Sequence, residues 1–321
     1  MKNEILLNGE NLNQDEKFFS KIGINYLIYA LSALIIQIIA VNILGATNST
    51  LLNDFNVITI LSAISNYVLP FPILFYLMKK IDAQTLEKQN LNLKTFLLYL
   101  SITFTLMWIG NIIGLAITSA LGIIFQTEIT NPVETLINSS DIWLNLILIS
   151  VAGPIFEEIF FRKLLIDRTI KYGARVSIIL SAVIFGFFHG NISQFFYAFL
   201  LGGFFAYVYI RTGKIIYTMI LHIIVNLMGS VVSLFVVQSA QTFISNTYTS
   251  IDIVIVLIYV LIILSALLVG VIGLSRFKKA KFNGCKTQIC LKNPIKTILL
   301  NPGMILLILF FIAEIIYMLF N

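Results

Sequence analysis

Charge is so sparse and so clustered in this chain that it cuts the sequence into apolar runs of roughly membrane length. All 21 Lys and Arg residues fall in five groups: Lys2–Lys21, Lys79–Lys94, Arg162–Arg175, Arg211–Lys214 and Arg276–Lys296. Between and beyond them lie nine apolar stretches, at about Ile22–Leu44, Asn56–Met78, Thr95–Ile124, Ile142–Phe161, Val176–Phe188, Phe195–Ile210, Ile215–Val237, Ile253–Leu274 and Gly303–Phe320. In lipid every backbone polar group must be satisfied internally, which leaves helices or closed barrels, and these runs are too long and uniform for barrel strands. The expected fold is therefore all-α, a polytopic transmembrane helix bundle of eight to nine membrane segments. The fifth and sixth runs fall short of a comfortable span of ~20 residues.

Composition agrees. Only 11% of the 321 residues are charged and 59% are hydrophobic, where a soluble domain carries about 25% charged residues. The net charge of +6 does not point to nucleic acid, because the basic groups alternate with connections that hold no Lys or Arg at all: 45–55, 125–141, 189–194 and 238–250. The positive-inside rule then puts the amino terminus and all five basic groups in the cytoplasm. The run at Ile22–Leu44 is too long for a signal-peptide core and is expected to remain as a spanning helix. Cys285 and Cys290 cannot make a disulfide framework and read as reduced thiols. The basic loop 276–296 faces anionic lipid headgroups on this reading. The chain divides into a cytoplasmic segment 1–21, amino-terminal spans 22–141, a core 142–237 and carboxy-terminal spans 238–321.

Ionisable residues at membrane depth are costly and invite explanation. Glu157 and Glu158 are adjacent within a run of Ile and Phe, and both histidines of the chain, His189 and His222, lie in or at the end of apolar runs. Glu158 and Arg162 are i,i+4 neighbours on a helix and can pair, whereas Glu157 is turned ~100° away and is left free for other work. His222 and Asn226 share a face by the same spacing, and an imidazole and an amide one turn apart can together hold a developing negative oxygen. Phe185, four residues before His189, reads as packing. Pro154 removes a backbone bond to the Ser150 carbonyl and predicts a kink just before Glu157.

Depth gives an independent check. With a turn near Tyr172-Gly173-Ala174, Glu157 and His189 both come out ~21–22 Å from it at 1.5 Å per residue, and His222 comes out ~10 Å beyond Ile215. A protruding basic hairpin tip would set this level roughly 10 Å below the inner surface, with a site opening to the cytoplasm. The chain at Gly190-Asn191 must then break inside the membrane, which is tolerated only where backbone is buried or lines a cavity.

Glu157-Glu158-x-x-x-Arg162, Phe185-x-x-x-His189 and His222-x-x-x-Asn226, in this order on successive apolar runs, resemble the motifs of the CPBP intramembrane proteases, also called the CAAX-protease and bacteriocin-processing (Abi) family. The similarity spans about Ile142 to Asn226. What the resemblance implies is hydrolysis of a peptide bond at or in the membrane. Glu157 would be the general base, His189 would help hold the attacking water, and His222 and Asn226 would stabilise the oxyanion, with Glu158 and Arg162 in support. No cofactor is expected. A zinc variant stays open, since Glu157, His189 and His222 supply a carboxylate and two imidazoles, a ligand set known for catalytic zinc.

Two other classes compete. A non-catalytic immunity or scaffold protein would bind a peptide in the same cavity, and a proton-coupled transporter would use the buried carboxylates and histidines as a relay. The partners expected are lipids and a membrane-associated peptide or protein, with peptide or leader processing favoured over cleavage of a prenylated tail, because the Ile-, Leu-, Asn- and Lys-rich composition points to a bacterial cell membrane. Asn25, Gln37, Asn42, Asn66, Asn111 and Asn145 read as helix–helix hydrogen bonders. Glu314 stands alone in the last run, without a visible partner.

Overall fold

The computed structural model describes residues 2–127, 129, 131–277 and 289–320, with side chains from residue 14 onward apart from 276 and 277. Lys278, Lys279, Lys281, Lys286 and Cys285 of the basic loop lie outside the described residues. The described residues are helical throughout, joined by turns and loops, with no strand among them.

Eight helices are long and apolar enough to cross a membrane. They are α1 (Gln14–Asn53), α2 (Phe55–Lys79), α3 (Leu93–Phe125), α5 (Ile142–Tyr172), α7 (Ile192–Thr212), α8 (Ile215–Ile244), α9 (Ser250–Ser275) and α11 (Pro302–Phe320). Three shorter helices complete the set: α4 (Pro132–Ser139), α6 (Ala174–Phe187) and α10 (Pro294–Leu299). Of the two runs that read as short, one is not. Asn191 caps α7 by accepting the Gln194 N–H at 2.9 Å, which starts the helix three residues before its apolar run, and Gly213 ends it in the left-handed conformation. The resulting 21 residues reach ~31 Å, a full span. Helix α6 does stay short at 14 residues.

The long helix α5 is not regular. It contains π-helical stretches at Asn145–Ala152 and Ile159–Leu164, and the first of them alters the effect of Pro154. In this wider register the Gly153 N–H bonds the Leu148 carbonyl five residues back. The next donor is missing because residue 154 is proline, so the carbonyl released is that of Ile149 rather than Ser150. Asn226 on α8 fills the place, donating Nδ2–H to the Ile149 oxygen at 3.0 Å.

Helix α7 is the central post. It packs along α3 and α6, and its backbone comes so close to α3 that a Cβ at Gly110 or Gly114 would collide with the backbone of Tyr197 or Ser193, as small residues permit in membrane bundles. Helix α11 docks on α1 and α6. Helix α9 lies against α3 and otherwise turns outward, with Leu257, Leu261, Leu264 and Leu268 all more than half exposed. On a helix of mean hydropathy 3.2 such a face is a lipid face.

Two large packed regions hold the bundle, beside a smaller one of Ile166, Ile170, Ala174, Ala206, Tyr209 and Ile210. One joins α1, α2, α5, α6 and α11 through Phe19, Tyr26, Tyr29, Phe160, Phe161, Phe185 and their neighbours. The other joins α3, α7 and α8 through Tyr99, Phe204, Phe205 and Leu221. The membrane amides divide their roles. Asn25 reaches across to Met78 Sδ at 3.5 Å, and Asn145 crosses to the Ile137 carbonyl of α4 at 2.8 Å. Asn42 instead bonds the Ile38 carbonyl of its own helix. Gln37 and Asn66 face a cavity.

Candidate active site

Eight helices and one helix break converge on a cavity of about 340 Å³ whose lining includes Glu157, His189, His222 and Asn226. The turn at the end of α5 falls at Gly173. Helix α6 climbs back from it and stops at Phe187, and the chain breaks at Gly190 (φ +64°) before Asn191 starts α7. The break is buried and satisfied: Asn191 Nδ2 donates to the His189 carbonyl at 2.9 Å and to Gln194 Oε1 at 3.0 Å.

The two glutamates part company as their 100° separation requires. Glu158 and Arg162 are both fully buried, with Oε2 and Nε 3.2 Å apart. Arg162 also lies over the Phe185 ring at 4.5 Å and the Phe205 ring at 5.4 Å. An isolated charge at this depth would be intolerable. Paired and covered by aromatic faces, the guanidinium cancels Glu158. Glu157 makes no such pair, and it is not free either. Its Oε1 accepts the Tyr67 hydroxyl of α2 at 2.6 Å, and its Oε2 lies 3.6 Å from His222 Nε2. Tyr67 was not among the sequence candidates. It sits 90 residues away with nothing in its local spacing to mark it.

The histidines differ in what they offer. His189 Nδ1 is 2.8 Å from the Phe185 carbonyl. A carbonyl only accepts, so this nitrogen carries the proton and Nε2 of the neutral ring presents a lone pair. His222 Nδ1 is 2.9 Å from Glu158 Oε1, which likewise only accepts. Its Nε2 then faces Glu157, and a proton on either atom would lie between them. When His222 carries both ring protons, Glu157, Glu158, Arg162 and His222 sum to zero formal charge. His222 therefore bridges the two carboxylates, a function beyond its sharing a face with Asn226.

Phe185 does more than pack. Its ring lies edge-on to His189 at 4.9 Å and to His222 at 5.7 Å between centroids. It also receives Arg162 on its face, while its carbonyl fixes His189.

From the level of Glu157 the cavity extends toward one end of the bundle. Its wall draws on Thr59 near the start of α2, Val133 and Leu136 of α4, Leu148 and Gly153 in the first half of α5, and Met318 near the end of α11. All of these lie toward the connections that hold no basic residue. No Lys or Arg lines the cavity. Toward the basic hairpin the way is blocked by Phe160, Phe161, Leu164, Leu165 and Ile166, each no more than 4% exposed. Levels along a helix locate a site but carry no information about which side of it is hollow, and here the hollow side is the one toward the basic-free connections.

For a metal the fit is poor. Among the described residues no three His, Cys, Asp or Glu side chains are grouped as metal ligands would be, and three of the four ring nitrogens already face a carbonyl or carboxylate. No step is derived through zinc.

Neither the curated proteins nor the solved structures contain a significant match to this chain. A family model does match, and it covers residues 139–228, the segment that bears every motif residue above. That family is described as Rce1-like, type II CAAX prenyl endopeptidase, and its match to residues 139–228 supports reading this multi-pass membrane protein as a relative of the CPBP intramembrane proteases.

Proposed function

We propose that the protein is an intramembrane endopeptidase that hydrolyses a peptide bond of membrane-associated peptides or proteins with water activated by Glu157. The observation that carries this reading is the division of labour between the adjacent carboxylates. Glu158 is neutralised by Arg162, whereas Glu157 faces a cavity shared with both histidines. In the reaction, His189 Nε2 accepts a hydrogen bond from the water and orients it. Glu157 takes the water's other proton as the water oxygen attacks the scissile carbonyl carbon. Tyr67 holds the base in place throughout. The tetrahedral oxygen is met by the Asn226 amide and the Nε2–H of doubly protonated His222, fixed donors of the kind worth about 2.7–4 kcal/mol each in a dry site. Glu157 then returns its proton to the amide nitrogen, the C–N bond breaks, and a carboxylic acid and an amine leave.

On this reading the basic connections lie in the bacterial cytoplasm with the amino terminus, and the cavity opens toward the outer side of the membrane. Substrates then arrive as exported or outward-facing peptide segments. This favours leader or peptide processing over cleavage of cytoplasmic prenylated tails.

The test compares cells expressing wild type or Glu157→Gln at equal membrane levels, by mass spectrometry of new peptide termini. Termini that depend on Glu157 establish proteolysis, and identical terminal profiles from the two strains reject it. Labelling of Cys290 with a membrane-impermeant maleimide checks the orientation, with Cys285 replaced by serine. Protection in intact cells and reaction after lysis are expected. Reaction in intact cells would invert the topology.

A further inference from the structure

Glu314 of α11 lies outside the segment 139–228 that carries the motifs, yet it belongs to the same cavity. Phe310, Glu314 and Met318 recur every four residues, so one face of α11 forms a cavity wall with a single carboxylate between two large apolar side chains. Its carboxyl group is pressed against the chain break: a Cβ added to Gly190 would fall 2.9 Å from the Glu314 carboxyl carbon. The acid thus stands one residue along the chain from His189. It has no hydrogen-bond or ion-pair partner among the described residues, unlike Glu157 and Glu158.

Such a group is expensive at membrane depth unless something neutralises it. Glu157 has His222 Nε2 3.6 Å away, whereas no Lys or Arg lines the cavity to balance Glu314. A positive charge on what enters would balance it, and apolar walls around a half-buried carboxylate favour a cation that binds by its head and buries its stem.

We propose that Glu314 is a specificity-determining residue that receives a basic side chain, lysine or arginine, next to the bond to be cleaved. The inference deepens the reading above and rests on this cavity being the substrate site. Substrates would be apolar segments interrupted by one basic residue, and an acidic residue at that position would be repelled by Glu314.

The test measures binding rather than cleavage, so that the two readings fail separately. The full-length Glu157→Gln protein in lipid nanodiscs is titrated with fluorescein-labelled ten-residue apolar peptides differing only at one central position, lysine, arginine, norleucine or glutamate. The expected order is lysine or arginine at least 10-fold tighter than norleucine, with glutamate weakest. Adding Glu314→Gln is expected to bring the lysine-to-norleucine ratio to about one, and Glu314→Lys to favour the glutamate peptide. A ratio unchanged by Glu314→Gln overturns the proposal, as does an equal loss for all four peptides, which would mark Glu314 as structural. Failure of every peptide to bind, with a folded monodisperse protein, overturns it as well. Absence of cleavage by the Glu157-intact enzyme alongside intact lysine preference would sink the protease reading and leave this one standing.

Discussion

From the level of Glu157 toward the basic connections the bundle is solid, and from the same level toward the basic-free connections it is hollow. Both halves are apolar, so hydropathy does not separate them. Side-chain size does. The solid half is filled by Tyr26, Tyr29, Phe160 and Phe161, all 1% exposed or less. The hollow half is walled in part by Ala30, Ala33, Ser62, Ala63 and Gly153. In lipid, where greasiness is everywhere, volume decides where a chain leaves room for substrate.

Four experiments would break or sharpen this contrast. Glu157→Gln, at the boundary, should lower the cleavage rate by roughly 10²–10⁴-fold while leaving the detergent-solubilised protein's melting temperature nearly unchanged. A comparable loss of stability would assign Glu157 to the solid half. Arg162→Ala, inside the solid half, should cost about 3–5 kcal/mol by leaving Glu158 buried and alone, read as loss of folded protein in a thermal or denaturant titration. Survival of Arg162→Ala at wild-type stability would refute the neutralising role. Tyr67→Phe removes one charge-assisted hydrogen bond to the base. We expect about a 10-fold fall in kcat at little cost in stability, in line with roughly 1.5 kcal/mol for such a bond. The smallest effect is expected from Ser62→Cys in a background with both native cysteines replaced. The folded protein should react with a small polar thiol reagent and Leu164→Cys should not, and equal reactivity of the two would erase the distinction between halves.

Much of this arrangement was legible in local spacing. The Glu158–Arg162 pair follows from i,i+4 geometry, and the turn at Gly173 and the break at Gly190 follow from counting rise per residue between polar landmarks. These inferences work because each concerns one helix or one hairpin. What was missed involves contacts between distant parts of the chain. Tyr67 reaches Glu157 across 90 positions, and no periodicity in α2 announces it. Glu314 was visible as an oddity, but its neighbour Gly190 is 124 positions away. Pro154 was read with α-helical arithmetic, and a π-helical stretch moved its effect from Ser150 to Ile149. The extent of the cavity was not legible because depth is a single coordinate, and a void needs all three.

One further consequence attaches to Phe185. Its ring touches both imidazoles and the guanidinium, and its carbonyl sets the tautomer of His189. A rotation of α6 by a few degrees therefore cannot move one histidine without the other. Substitutions at His189 and His222 should then be non-additive, with a coupling free energy of about 0.5–3 kcal/mol in a double-mutant cycle. Trimming Phe185 should dissolve that coupling and leave two histidines that respond independently.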